Sequence, residues 1–462
     1  MKNRIIALCI SLMLPTVLPA QNKYEATWES IDSRSVPEWF TGAKFGIFIH
    51  WGLFSVPAWG PLPSDGAGVY DCYAEWYWAK LADGNSKVNP LFVNFHRNNY
   101  GEKFQYQDFV NGFTCEMFNP DYWAKVFRES GARYVVLTSK HHEGFTLWPS
   151  EHAWNWNAMD VGPHRDLAGE LTESVKKEGL HMGFYYSLYE WFNPLYKSNP
   201  DRYVSEHMIP QMKDLVNRYR PDIVWTDGEW DYPSEKWRST EFLAWLYNES
   251  PVKETVVVND RWGKETRSLH GGFYTTEYDL VHDGKMDARI SHPWEECRGI
   301  GHSFGFNRNE QLEDYSSSKE LVHLLVEKVA MGGNLLLNIG PTADGRIPVI
   351  MQQRLADIGR WLKRNGEAIY DTRAWETAYK QDDISACFTR KGNDLYVICT
   401  KYPEKAITVK GIDRKPVSVT LLGSKAGVRF SHSGEKVTIT PPPFHPADGG
   451  EYAWVFKISG GL

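Results

Sequence analysis

The sequence predicts an α/β protein, a (β/α)8-like barrel followed by a C-terminal antiparallel β-sandwich. Three observations carry this. From about residue 38 to 370, short apolar runs rich in β-branched and aromatic residues alternate with amphipathic helical stretches. That alternation argues for a parallel sheet, and its length favours a closed barrel over an open doubly wound sheet. Past about residue 374 only short alternating segments remain, separated by turn residues such as Lys391-Gly392-Asn393-Asp394 and Ser433-Gly434. That pattern is expected of a sandwich.

Each region follows in order. The chain opens with Lys2 and Arg4, an apolar run over 5–18, and Leu18-Pro19-Ala20. This is the form of an export signal cut after Ala20. Residues 1–20 are therefore read as a signal peptide, 21–370 as the barrel and 371–462 as the sandwich. The expected location is the periplasm or the cell exterior. No later stretch is apolar enough to span a bilayer, so no lasting membrane association is expected. Expected barrel strands cover 45–50, 134–139, 182–187, 223–226, 255–259 and 334–339. Expected helices cover 122–130, 166–178, 204–219, 240–247, 319–331 and 348–365. Asn119-Pro120 offers a cap and a helix-compatible proline before the first of these, and Ser316-Ser317-Ser318 precedes the fifth. Sandwich strands are expected at 385–389, 394–400, 406–409, 417–422, 428–431, 436–440 and 452–458.

Composition narrows the function. The net charge is −7 and no long basic run occurs, which disfavours nucleic acid and anionic membrane as partners. After signal cleavage five cysteines remain, with no CxxC pair, so a disulfide scaffold is not expected and at most one bridge is open. No glycine-rich dinucleotide fingerprint or phosphate loop is present, and no cofactor is indicated. The 20 Trp and 24 Tyr are a clear excess. Most fill a core, but aromatic faces also receive the C–H faces of sugars.

In a (β/α)8 barrel, chemistry gathers where the strands end at their C-terminal side. Five expected strand ends in succession carry polar residues. They bring His50, then His141 and His142, then Tyr186 and Glu190, then Asp227 and Glu229, then Asn259, Asp260 and Arg261. Glu277 follows soon after. One such histidine has a structural reading, but five polar strand ends in a row point to a site. Asp227 follows the apolar run Ile-Val-Trp, which puts a carboxylate at the barrel mouth on a rigid element. Its alternative reading is a cap for the next turn. Adjacent His141 and His142 point in different directions and lack an HExxH partner set, so they read as hydrogen-bonding groups rather than zinc ligands. No metal is expected.

At these residues the chain resembles the α-L-fucosidases of glycoside hydrolase family 29, over nearly the whole mature length. The segments WFTGAKFGIFIHWGLFSVPAW, YVVLTSKHHEGFTLW, MGFYYSLYEW, DIVWTDGEW, VVVNDRWG, WEECRGIGHSFGFNRNE and GGNLLLNIGPTADGRIP carry the resemblance. It implies an exo-acting, retaining, metal-free hydrolase of terminal α-L-fucosyl residues on glycans, with an irregular barrel and a C-terminal sandwich. It implies Asp227 in WTDG as nucleophile. Glu277 in TTEYD matches the general acid/base of the broad-specificity branch. Glu295, Glu296 and Glu229 are the rivals for that role. The resemblance further implies that His50, Glu75, Trp76, His141, His142, Tyr186, Trp225 and Arg261 hold the sugar. Tyr185 is the rival to Tyr186, because neighbours in a strand face opposite ways. Phe304 or Phe306 could wall the fucose methyl. Two other functions stay open: a glycosidase of another specificity, such as an α-L-galactosidase, and a carbohydrate-binding protein that has lost catalysis.

Overall fold

The computed structural model describes residues 23–281, 284–285, 292–444 and 451–462. The expected signal at 1–20 lies outside the described residues. Eight parallel strands form one curled sheet: β1 Phe45–Ile49, β2 Tyr134–Lys140, β3 His181–Ser187, β4 Ile223–Asp227, β5 Val257–Val258, β6 Tyr274–Glu277, β7 Trp294–Gly299 and β8 Asn334–Ile339. Their order is β5-β4-β3-β2-β1-β8-β7-β6. No ladder joins β5 to β6 among the described residues. Instead the N–H groups of Gly272 and Phe273 donate to the carbonyls of Asn259 and Val258 across that seam. The strands β6 and β7 were not anticipated from the sequence. They are short, and their apolar pattern is broken by Thr275, Thr276, Glu295 and Glu296.

Helices Pro120–Glu129, Leu167–Lys177, Ser239–Asn248, Ser318–Ala330 and Val349–Asn365 lie within a residue or two of the expected spans. Asn119 caps the first by accepting from the Tyr122 N–H, and Ser317 with Glu320 forms a capping box for the fourth. The segment expected as one helix over 204–219 starts instead as a π-helical turn, Tyr203–Met208, before Ile209–Tyr219. Pro210 has no N–H for the ordinary helical bond, which loosens this junction. Helix Asn89–Tyr100, in the long excursion between β1 and β2, was not anticipated.

Strand alternation sorts side chains into two apolar layers. Phe48, Tyr134, Val136, Tyr185, Trp225, Cys297 and Leu336 fill the barrel interior. Ile47, Ile49, Val135, Leu137, Phe184, Tyr186 and Val224 face the helices.

Beyond the barrel, Ala386–Lys391, Asp394–Cys399, Trp454–Ser459 and Ser418–Leu421 form the centre of one antiparallel sheet. Ile407–Lys410, Lys436–Thr440 and Arg429–Ser433 form another. Phe388, Val397, Phe456, Val409, Val437 and Ile439 close the core they share. Cys387, Tyr396, Ile398 and Val455 instead join the helix-side core of the barrel, so the two parts are packed together. Trp361 donates to the Ala453 carbonyl across this contact. The five described cysteines are free, buried thiols, so the single bridge left open by the count is not formed among them.

Candidate active site

A cavity of about 660 Å³ opens at the C-terminal strand ends. It collects Asp227 from the end of β4, Glu277 from the end of β6, Arg261 after β5, His50 after β1, and His141 and His142 after β2. Glu75 and Trp76 enter from the β1–β2 excursion, and Trp225 and Tyr185 rise from the barrel interior. Nine of the ten sequence-predicted site residues therefore line one cavity.

Tyr186 is the correction. It faces the helices, where its hydroxyl donates to Gln211 and accepts from Lys140. Tyr185, one residue earlier, faces in and donates to Asp227 Oδ2 at 2.9 Å. The register of β3 puts Gly183 and Tyr185 on the interior side, which leaves Tyr186 outside.

The same alternation explains Asp227. Trp225 and Asp227 share the inner face of β4, with Val224 and Thr226 on the other. Gly228 then turns the chain at φ 75°, and a Cβ there would strike Tyr189 at 2.5 Å. Asp227 is thus held at the last strand position, on the same inner face as Trp225.

Arg261 joins the two carboxyl groups. One nitrogen is 2.7 Å from Asp227 Oδ1, and the other is 3.6 Å from Glu277 Oε2. The guanidinium carbon lies over the Trp225 ring, 4.4 Å from its centroid. Burial pushes the Asp227 carboxyl up, but the Arg261 guanidinium, with Arg267 beside it, outweighs this and holds it well below the usual carboxylate range. Glu277 moves the other way. Burial raises it, Arg261 opposes, and the negative charge of Asp227 adds to the rise. Tyr73 donates to Glu277 Oε1 at 2.8 Å. Two carboxyl groups with opposed shifts, one ionised and one inclined to keep its proton, are what acid/base and nucleophile roles require.

The histidines are neutral acceptors. Asn338 donates to the Phe304 carbonyl, so its oxygen takes the His50 Nδ1 proton at 2.6 Å. Ser187 donates to the Tyr189 carbonyl and accepts from His142 Nδ1 at 2.6 Å. Both rings keep Nε2 unprotonated, and that of His142 lies 3.9 Å from Asp227 Oδ2. Burial drives both pKa values well below the ordinary histidine range. His141 stacks on Tyr185, and burial lowers it to about 3. Glu75 accepts from Gly305 N–H and Ser303, and burial raises it to about 7. The cavity thus offers acceptors to hydroxyl groups around one apolar wall of Phe48 and Phe304.

The rival acids are engaged elsewhere. Glu295 accepts from Tyr134 and from the Trp225 indole beneath the cavity, and burial raises it to about 7. Glu296 is bound by Thr276, Arg298 and the Asp279 N–H. Glu229 pairs with Arg267 at 2.6 Å. None of the three lines the cavity.

Tyr70, Tyr73, Lys80, Trp230 and Arg267 also line it and were not singled out from the sequence. Their segments lack strand periodicity. The one available signal was proximity, since Tyr73 lies two residues before Glu75 and Arg267 six after Arg261.

Among the described residues, no three His, Cys, Asp or Glu side chains converge as metal ligands. No described helix is long and apolar enough to cross a membrane.

Comparison with known proteins points to one family. The sequence pattern of the alpha-L-fucosidase family matches residues 12–367. The chain is 44% identical over 449 residues to the tissue alpha-L-fucosidase of Homo sapiens, covering 95% of this chain and 92% of that one. It is 43% identical over 464 residues to an alpha-L-fucosidase of Branchiostoma floridae, covering 97% and 99%. Among solved structures, the Thermotoga maritima alpha-fucosidase in complex with fucose superposes with a TM-score of 0.79. That match has 36% identity and covers 94% of this chain and 100% of that one.

Proposed function

The chain belongs to the alpha-L-fucosidase family, and on that premise we propose that it is an exo-acting, retaining α-L-fucosidase of fucosylated glycans. Asp227 is the nucleophile and Glu277 the general acid/base. The observation that carries this reading is the pair of carboxyl groups joined by Arg261 across one cavity.

The reaction follows in two displacements. Asp227 Oδ attacks the anomeric carbon as the glycosidic C–O bond breaks. Glu277 gives its proton to the departing oxygen. A water then attacks the glycosyl ester, Glu277 takes a proton from it, and the Asp227 carboxylate leaves. Arg261 steadies the Asp227 charge between steps. His50, His141, His142 and Glu75 meet the sugar hydroxyls, and Phe48 and Phe304 suit the fucose methyl.

An L-galactoside would put a hydroxyl against that apolar wall, which supports fucose as the preferred sugar. The basic start and apolar run over 5–18 support export to the periplasm or beyond. The reading is tested with an aryl α-L-fucoside, an aryl α-L-galactoside and the Asp227→Ala variant. Turnover of the fucoside by wild type alone is expected. Preference for the galactoside, or full activity in the variant, would overturn it.

A further inference from the structure

Aromatic rings continue outward from the cavity on the loops that follow β2 and β3. Trp76 lines the cavity, and its ring meets Trp191 edge-on at 5.4 Å. The Trp191 N–H donates to the His142 carbonyl at 2.7 Å, which ties it to the loop after β2. The next residue, Phe192, stacks on Trp156 at 4.4 Å and 12° and is 40% exposed. Trp156 is anchored in turn by its indole N–H on the Glu143 carbonyl, one residue past His142. Two residues earlier stands Trp154, 79% exposed. It is the only exposed tryptophan among the described residues. Asn155 follows it in the left-handed conformation, φ 56°, and the loop carries Trp154 on its outer surface.

Scattered exposed apolar side chains need no explanation. Here Trp154 and Phe192 sit on the loops that follow β2 and β3, at the barrel end where the cavity opens, and Trp156 links the two loops by stacking on Phe192 two residues from Trp154, with exposed Asn155 between. Flat rings separated by hydrogen-bonding side chains fit sugar rings, which present C–H faces and hydroxyl edges together. A protein partner would call for a far larger contiguous surface than two exposed rings supply.

We propose that Trp154 and Phe192 form a platform for the sugar residues of the glycan that lie beyond the one held in the cavity. This rests on the fucosidase reading and adds to it a determinant of glycan preference. The platform acts on long substrates and leaves the chemistry at Asp227 unchanged.

The test compares an aryl α-L-fucoside with the fucosylated oligosaccharide that wild type cleaves best from a panel. In Trp154→Ala and Trp154→Ala/Phe192→Ala, kcat/KM on the oligosaccharide should fall about 10-fold, mostly through KM. The aryl fucoside should stay within about twofold, and Trp154→Phe should recover most of the loss. Equal losses on both substrates, or unchanged oligosaccharide kinetics, overturn the platform. A wild type that cleaves the aryl fucoside and no oligosaccharide also overturns it. Inactivity on every substrate instead sinks the fucosidase reading itself.

Discussion

Arg261 and Asp227 form a buried ion pair, 2.7 Å apart, at the base of the cavity. Removing one partner of such a pair leaves the other uncompensated, at a cost of about 3–5 kcal/mol. Arg261→Ala should therefore lower kcat/KM on an aryl fucoside by about 10²-fold or more. The sign of its pH effect follows from the pair. Arg261 holds the Asp227 pKa down, so its loss lets that pKa rise. The acidic limb of the kcat/KM profile should move to higher pH. An unmoved limb would show that Arg261 does not tune the nucleophile.

Glu277→Ala should slow aryl fucosides with good leaving groups mainly at the second displacement, and added azide should restore turnover. Azide needs no base, so rescue identifies the missing group. Glu295→Ala and Glu296→Ala should lose stability and gain nothing from azide, because both acids are buried in structural hydrogen bonds. Rescue in either of them would move the acid/base away from Glu277.

Tyr73 donates to Glu277, which favours the ionised form and so lowers its pKa. Tyr73→Phe should raise that pKa. The acid form then persists further, and the alkaline limb of the kcat profile should move up by roughly half a unit to one unit. A downward move, or none, would separate Tyr73 from the acid/base.

Tyr185→Phe removes a hydroxyl from Asp227 and should reduce kcat by about 10-fold. Tyr186→Phe should stay within about twofold in kcat and lose about 1 kcal/mol of stability through Gln211 and Lys140. Steady-state kinetics and thermal melts on the two variants check the inward and outward assignment.

Lys140 and Glu190 form a second buried pair at 2.6 Å, behind the cavity wall. Lys140→Met should destabilise the fold by about 3–5 kcal/mol, and adding Glu190→Gln should recover much of this. The Glu190 pKa is depressed to about 2: burial raises it, and Lys140 and His207 outweigh that. Its stabilisation is thus present above the unfolded carboxylate pKa and is lost as pH falls through about 2. Acid unfolding midpoints of wild type and double variant should converge at the low end.

Much of this architecture was legible in the chain. β1 to β4 and β8 are long apolar runs with clear stops, and Asp227 announces itself as a charge after Ile-Val-Trp. Period two says that only one of Tyr185 and Tyr186 faces inward, but choosing between them needs the β3 register against β2 and β4. Strands β6 and β7 were hidden because their inward positions carry polar side chains, such as Glu295, that serve the interior by hydrogen bonds rather than by apolar contact. Tyr73 was hidden for another reason. It lies between two short 3-10 turns, where no period marks which side chains point at the site.

The seam between β5 and β6 has a consequence for how such an enzyme can change. Asp227 stands on the continuous side, braced by full ladders from β1 to β4. Glu277 stands on the other lip of that joint, on a strand laddered to β7, and only a few backbone bonds and the reach of Arg261 close the gap between them. Lengthening or shortening the chain near β6 can relocate the proton donor while leaving the attacking group in register. Attack geometry is thereby inherited as a fixed part, and proton delivery as an adjustable one.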